Sequence, residues 1–168
     1  MIMESLFHRT SVRQFTNEPV SHEQIIHILK AGMQAPSAGN QQPWEFYVVT
    51  DQDIIAKLSL ASPYAKCAAN APVVIVPVTR KNNLRFPEYA EIDMSIAQEN
   101  IWLATDALGL GGVWLGIAPN KERIDYVNRV LKLPDHLNAF SLFPLGHPVS
   151  IKPQADRFDE SRIHFLKD

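Results

Sequence analysis

The run Ala71-Pro72-Val73-Val74-Ile75-Val76-Pro77-Val78 constrains this chain more than any other stretch. It is nearly all apolar and mostly β-branched, with none of the polar/apolar alternation of a half-exposed strand. It therefore reads as a strand buried on both faces. Proline cannot donate to a ladder, so Pro72 and Pro77 are expected to bound the hydrogen-bonded middle of this strand. The remaining segments must supply cover on both of its sides.

Several segments can do so. Ser21 with Gln24 three residues on has the form of a capping box, and Ile25, Ile26, Leu29 and Met33 follow at helical spacing, so the pattern predicts a helix over 21–34. His22 and His27 are five apart, share no helical face, and are expected at the surface rather than on a metal. Residues 45–50 read as a strand, Asp51 as the cap of a helix carrying Ile54, Ile55 and Leu58, and 63–70 as a short helical piece. The longest helix is expected over 89–108. Ile92, Ile96, Leu103 and Ala107 lie on one stripe, and Met94, Ala97, Ile101, Ala104 and Leu108 on another. A helix apolar on two faces is central to a core or shared with a partner subunit. Asp93 near its start suits the helix dipole, and Asn100 needs a partner if buried. A helix from Pro119-Asn120 to Leu131 and a strand over 138–146 follow. The tail from His147 has no period, yet Ile151, Phe158, Ile163 and Phe165 need burial, as a tail packed on a partner chain would provide.

Charge and cysteine usage exclude several classes. A net charge of -2 and a pI near 6.3 argue against a general nucleic-acid binder. No apolar stretch reaches the roughly 20 residues of a membrane-spanning helix, and MIMESLFHRTSVR is not a secretory signal. The single cysteine, Cys67, allows neither an internal disulfide nor a multi-thiolate metal site, and a cytoplasmic location is the default. Twelve prolines scattered along the chain indicate frequent turns rather than a linker, so one domain over 1–168 is expected.

Three stretches carry candidate chemistry. In His8-Arg9-Thr10-Ser11-Val12-Arg13, extended geometry would put Arg9, Ser11 and Arg13 on one side, an arrangement suited to an anion. In APSAGNQQPWEFYVV, residues 35–49, small residues allow close approach to the backbone and Gly39 or Asn40 can take positive φ. In Leu108-Gly109-Leu110-Gly111-Gly112-Val113-Trp114-Leu115-Gly116 the glycines follow a helix and open a strand. That is the reverse of a dinucleotide-binding loop. They are expected to end the helix and leave room where something flat lies close to the strand. Arg157 stands out in the tail, with a surface ion pair as its simplest role.

In this order and spacing, RTSVRQF, APSAGNQQPWEF and ALGLGGVWLG, followed by a strand, GHP and a tail arginine, resemble the FMN-dependent nitroreductase family over essentially the whole chain. The chain resembles a short member of it. The resemblance implies an α+β three-layer sandwich, a mixed and mostly antiparallel sheet flanked by helices. It also implies a homodimer that exchanges its C-terminal arm and binds FMN at the interface. Arg9, Thr10, Ser11 and Arg13 match contacts to the phosphate, ribityl chain and ring. Pro36, Ser37, Ala38 and Asn40 match a loop offered to the partner's flavin; Trp114, Leu115 and Gly116 match the strand beside the isoalloxazine; Arg157 matches a tail residue reaching the phosphate. Lys66 is a loosely spaced candidate for a lysine near the pyrimidine edge. Arg9 and Arg157 would then pair with the phosphate, and Arg13 would stabilise negative charge on the reduced ring. No side chain is needed as nucleophile or general base.

The activity implied is ping-pong reduction of a small electrophile, a nitroaromatic, quinone or similar, with NADH or NADPH. The same fold also accommodates reductive dehalogenation or flavin destruction, and a non-catalytic flavin-binding protein would share the arginine and asparagine contacts. Two departures bear on the substrate: the 79–88 connection is short, which reduces the lid, and Gly116 stands where some members carry an acidic residue.

Overall fold

β2 (Val73–Arg80) is the strand around which the sheet assembles, in a computed structural model that describes residues 2–166. On one side it pairs antiparallel with β1 (Trp44–Val49), from Trp44 opposite Thr79 to Val49 opposite Val74. On the other it pairs with β5 (Leu137–Ala139) and β6 (Ser141–Gly146), also antiparallel. β6 in turn carries the short β3 (Gly111–Gly112) and β4 (Leu115–Gly116). Among the described residues the parallel element is the single bridge between Ser11 and Gly112, which brings the N-terminal segment onto the β3 edge.

Pro77 does not bound β2 as expected; it lies inside it. The carbonyl of Pro77 accepts from Phe140 N–H at 2.9 Å, so its missing donor faces the β5–β6 side. There Val78 pairs with Ala139 and Ile75 with Phe143, leaving two residues of β2 opposite three of the partner strand. A proline is tolerated where a bulge already interrupts the ladder. The same bulge divides the expected strand over 138–146 into β5 and β6.

Both faces of β2 are covered. Val74, Val76 and Val78 pack with Ile55 and Leu58 of α3 (Gln52–Leu58) and Val127 of α5 (Lys121–Leu131). Val73 and Ile75 pack on the opposite face with Ile28 of α2 (His22–Met33), Ile101 of α4 (Ala90–Ala107) and Phe143. The Ser21–Gln24 capping box starts α2, and Asp51 caps α3 through Asp53 and Ile54 N–H. The buried face of α2 is Ile25, Ile28 and Gly32 rather than the stripe ending at Met33, which is half exposed, because this face meets α4. Asn100 donates from Nδ2 to the Ala31 carbonyl at 3.1 Å, joining the two helices, and the short N-terminal α1 (Ile2–His8) also lies against α4. The stripe of α4 that begins at Ile92 is partly uncovered: Ile92 remains 55% exposed.

Gly109, at φ 73°, follows the end of α4. The next glycines leave room, but for this chain's own side chains rather than for a flat ligand. A Cβ on Gly111 would lie 2.6 Å from Val12, and one on Gly112 would lie 2.5 Å from the Phe143 ring. The same N-terminal segment also pairs with the chain just beyond β6: Thr16 N–H donates to the His147 carbonyl and Val149 N–H to that of Gln14. Beyond this point the tail leaves the body of the fold, and Ile151, Phe158, Ile163 and Phe165 stay exposed.

Because Phe143 is fully buried and cannot retreat, Gly112→Ala should destabilise the fold by roughly 1–3 kcal/mol. The midpoint of urea unfolding checks this; an unchanged midpoint would contradict the packing described.

Candidate functional site

The Ser11–Gly112 bridge and the Val12 N–H bond to the Gly112 carbonyl at 3.0 Å fix the segment 10–13 beside the chain that leads into β4. Val12 turns into the core, so Ser11 and Arg13 point outward together. Arg13 lines two clefts. One, of about 320 Å³, is formed with Thr10, Ser11, Ser150 and Lys152. The other, of about 340 Å³, is formed with Ser62, Tyr64, Trp114, Leu115, Gly116 and Arg123. Neither is lined by a carboxylate. A Cβ on Gly116 would have only the Ala118 carbonyl near it, at 3.9 Å, so the wall at Gly116 is bare backbone open to a ligand.

Arg9 was expected with Ser11 and Arg13 but lines neither cleft. Its Nε lies 3.3 Å from Glu99 Oε1, and its guanidinium carbon is 3.9 Å from the centre of the Trp102 ring, both residues of α4. Trp114 packs against Phe140 at 5.7 Å between centroids, which holds the β4 end of the second cleft in place. Cys67 lies near Arg13. Burial pushes its thiol up and the Arg13 charge draws it partly back, so at neutral pH it is a protonated, weak nucleophile.

The loop over 36–42 is held by α4 at its other end. Asp93, 3% exposed, accepts from Ala38 N–H at 3.0 Å and from Gln41 Nε2 at 2.6 Å. Gln41 Nε2 also donates to the Phe86 carbonyl, while Gln41 Oε1 accepts from Phe86 N–H. Arg80 donates to the carbonyls of Gln41 and Gln42, both at 2.8 Å, and Ser37 Oγ accepts from Gln42 N–H. Gly39, Asn40 and Gln42 take positive φ, and the Phe86 ring covers Gly39 so closely that a Cβ would lie 2.6 Å from it. Asp93 is therefore the anchor of the loop, more than a dipole partner of the helix.

Thr10, Ser11 and Arg13 thus converge with Trp114, Leu115 and Gly116, while Pro36, Ser37, Ala38 and Asn40 line neither cleft. The loop hangs from Asp93 of α4, and Trp114 packs in the neighbouring cluster of Ala35, Met94, Ala97 and Phe140, whereas Arg9 rests on Trp102, nine residues along the helix. Arg157 is exposed on the tail and has no ion pair among the described residues, contrary to its simplest expected role. Ser150, Lys152, Tyr64 and Arg123 were not singled out from the sequence. The one available signal for Lys152 was a basic residue shortly after the strand that ends at Gly146. Among the described residues no cluster of His, Cys, Asp or Glu could hold a metal, and no helix is long and apolar enough to cross a membrane.

Comparison with known proteins gives these features relatives. A family model described as the Nitroreductase family matches residues 6–63 and 60–147. A protein of Methanothermobacter thermautotrophicus, provisionally named an NADH dehydrogenase/NAD(P)H nitroreductase, is 36% identical over 99% of this chain and 87% of its own length. Among solved structures, one from Clostridium acetobutylicum, provisionally named an NADH oxidase, is 41% identical with a TM-score of 0.93, covering 98% of this chain and 99% of that one. A provisionally named nitroreductase of Desulfovibrio desulfuricans, solved in complex with FMN, is 27% identical with a TM-score of 0.84, covering 99% of this chain and 97% of its own.

Truncating the loop anchor would leave the Ala38 and Gln41 donors unpaired. Asp93→Ala should cost roughly 1.5–3 kcal/mol, as for hydrogen bonds to a charged group. Hydrogen exchange should show protection lost first at the Ala38 amide. Retained protection there would mean that Asp93 does not hold the loop.

Proposed function

Because the chain belongs to the nitroreductase family, we propose that it is an FMN-dependent oxidoreductase that takes electrons from NADH or NADPH and delivers them to a small electrophile such as a nitroaromatic or quinone. The observation that carries this reading is the pair of acid-free clefts sharing Arg13. The group implied fits them. Ser11, Thr10 and Ser150 offer neutral donors and Lys152 a cation, the donor set that a phosphate needs. The adjoining cleft offers bare backbone at Gly116 beside the Trp114 side chain, which suits a flat ring.

The chemistry supplied by FMN, when bound, is hydride transfer from nicotinamide and then to the acceptor, in a ping-pong cycle. The chain's own residues bind and orient. Thr10, Ser11 and Lys152 would hold the phosphate. Arg13, at the junction of the clefts, would set a positive charge beside the ring. The backbone of Trp114, Leu115 and Gly116 would flank the ring, with Leu115 buried beneath. Arg9 is held on α4 by Glu99 and the Trp102 ring and would have to turn from them to reach the phosphate. Arg157 would join it from the tail. No residue need act as nucleophile, in keeping with the protonated Cys67 thiol.

Dimerisation completes the reading. Pro36, Ser37, Ala38 and Asn40 line neither cleft, so they would serve a partner's flavin across an interface that also covers Ile92 and the exposed tail. A single cysteine and a pI near 6.3 suit the cytoplasm.

Purified protein should be yellow, or become so on adding FMN, and should bleach anaerobically with NADH or NADPH. Colourless protein that takes up no FMN would overturn the proposal. Lys152→Ala should weaken FMN binding by roughly 1.5–3 kcal/mol if its ammonium meets the phosphate, measured by quenching of flavin fluorescence. Unchanged affinity would remove Lys152 from the site.

A further inference from the structure

Arg123 stands where two clefts meet and lines both. It sits in the first turns of α5, whose cap Asn120 accepts from its backbone N–H at 3.0 Å. Its side chain reaches back seven residues, and Nη1 donates to the Gly116 carbonyl at 3.2 Å. That bond fixes the guanidinium beside the bare backbone of the Gly116 wall while using one of its five N–H donors. On one side it faces the cleft of Arg13, Trp114 and Gly116. On the other it faces a cleft of about 540 Å³ lined with Lys66, Ser59, Ser62, Tyr126 and Glu122. Ser62 belongs to both walls, so the two spaces are neighbours across Arg123 and Ser62.

The charge balance is one-sided. Arg13, Arg123 and Lys66 surround this junction, and among the described residues none of the three has an ion-pair partner within 4.0 Å. The one carboxylate on these walls is Glu122, exposed to solvent at the rim of the outer cleft. Three unpaired cations around a concave surface raise the local concentration of anions and favour those that reach an arginine fork.

We infer that Arg123, backed by Lys66, is a specificity-determining anion subsite beside the flavin cleft, selecting substrates that carry a carboxylate or phosphate a few ångströms from the reacting group. This rests on the flavin oxidoreductase reading above. The anion can belong to the acceptor or to the nicotinamide donor, and two arms of one experiment separate these sources.

With FMN-loaded protein, kcat/KM is measured for 4-nitrobenzoate against 4-nitrobenzyl alcohol, and for NADPH against NADH, in the wild type, Arg123→Gln, Arg123→Lys and Lys66→Gln. In at least one arm the wild type should prefer the more anionic substrate by about tenfold, the worth of one charge-assisted bond. Arg123→Gln should bring that ratio to within about twofold of one, while Arg123→Lys keeps part of it. Added salt should compress the ratio in the wild type more than in Arg123→Gln. A change in the acceptor arm assigns the subsite to the acceptor, and a change in the donor arm assigns it to the nicotinamide. Ratios that are the same in wild type and Arg123→Gln in both arms overturn the inference. If Arg123→Gln does not fold, identical ratios in wild type, Arg123→Lys and Lys66→Gln overturn it equally. Failure of the wild type to bind FMN or turn over would instead sink the reading on which it rests.

Discussion

Burial of β2 on both faces is the constraint from which the rest of this molecule follows. A strand with Val73 and Ile75 on one face and Val74, Val76 and Val78 on the other must have a helical layer on each side. Once α2 and α4 occupy one face and α3 and α5 the other, no concave space remains over the middle of the sheet. Clefts then form at its edges, where the short β3 and β4 leave backbone uncovered and where the N-terminal segment is stitched on by the Ser11–Gly112 bridge. Glycine at 111 and 112 makes that stitching possible, because Val12 and Phe143 occupy the volume that side chains there would fill.

The α4 helix anchors two of the candidate segments. Its first turns hold the 36–42 loop through a buried carboxylate, and its later turns hold Arg9 through Glu99 and the Trp102 ring. A buried carboxylate such as Asp93 is costly unless hydrogen-bonded, and the Ala38 and Gln41 donors offset that cost. The result is a loop whose shape is set by the core rather than by its own flexibility. On the reading proposed above, the loop and the clefts would be two parts of one binding surface completed by a second copy, which would also cover the stripe at Ile92 and the apolar tail.

Much of this was legible in the sequence because the signals were local. The Ser21–Gln24 box, the Asp51 cap and the doubly apolar β2 each depend on a few neighbouring residues. What was misread depends on distant partners. The position of Pro77 was misjudged because the bulge that tolerates it lies in β5–β6, some sixty residues on. The roles of the 111–112 glycines reversed because Val12 and Phe143, far apart in the chain, fill the space beside them. Asp93 read as a dipole partner because nothing in its own helix reveals that Ala38 and Gln41 point at it. Among the candidate site residues, Thr10, Ser11, Arg13, Trp114, Leu115 and Gly116 converge, whereas Arg9 is drawn onto α4 by an aromatic face and a carboxylate that no local pattern discloses.

Electrostatics ties these pieces together. A fold with a net charge of -2 has placed Arg13, Arg123, Lys66 and Lys152 around adjoining clefts and left them without ion pairs among its described residues. Unpaired cations crowded at one edge repel one another, which disfavours the compact state. Among the described residues Arg9 meets Glu99 and Arg162 meets Asp159, and the other Lys and Arg side chains have no ion pair within 4.0 Å. What sets this edge apart is that four cations gather on adjoining concave walls whose one carboxylate is Glu122, and an anionic ligand would neutralise it. Binding such a ligand would stabilise the fold and shape the site at once, so that cofactor affinity and substrate choice would draw on the same unbalanced charge.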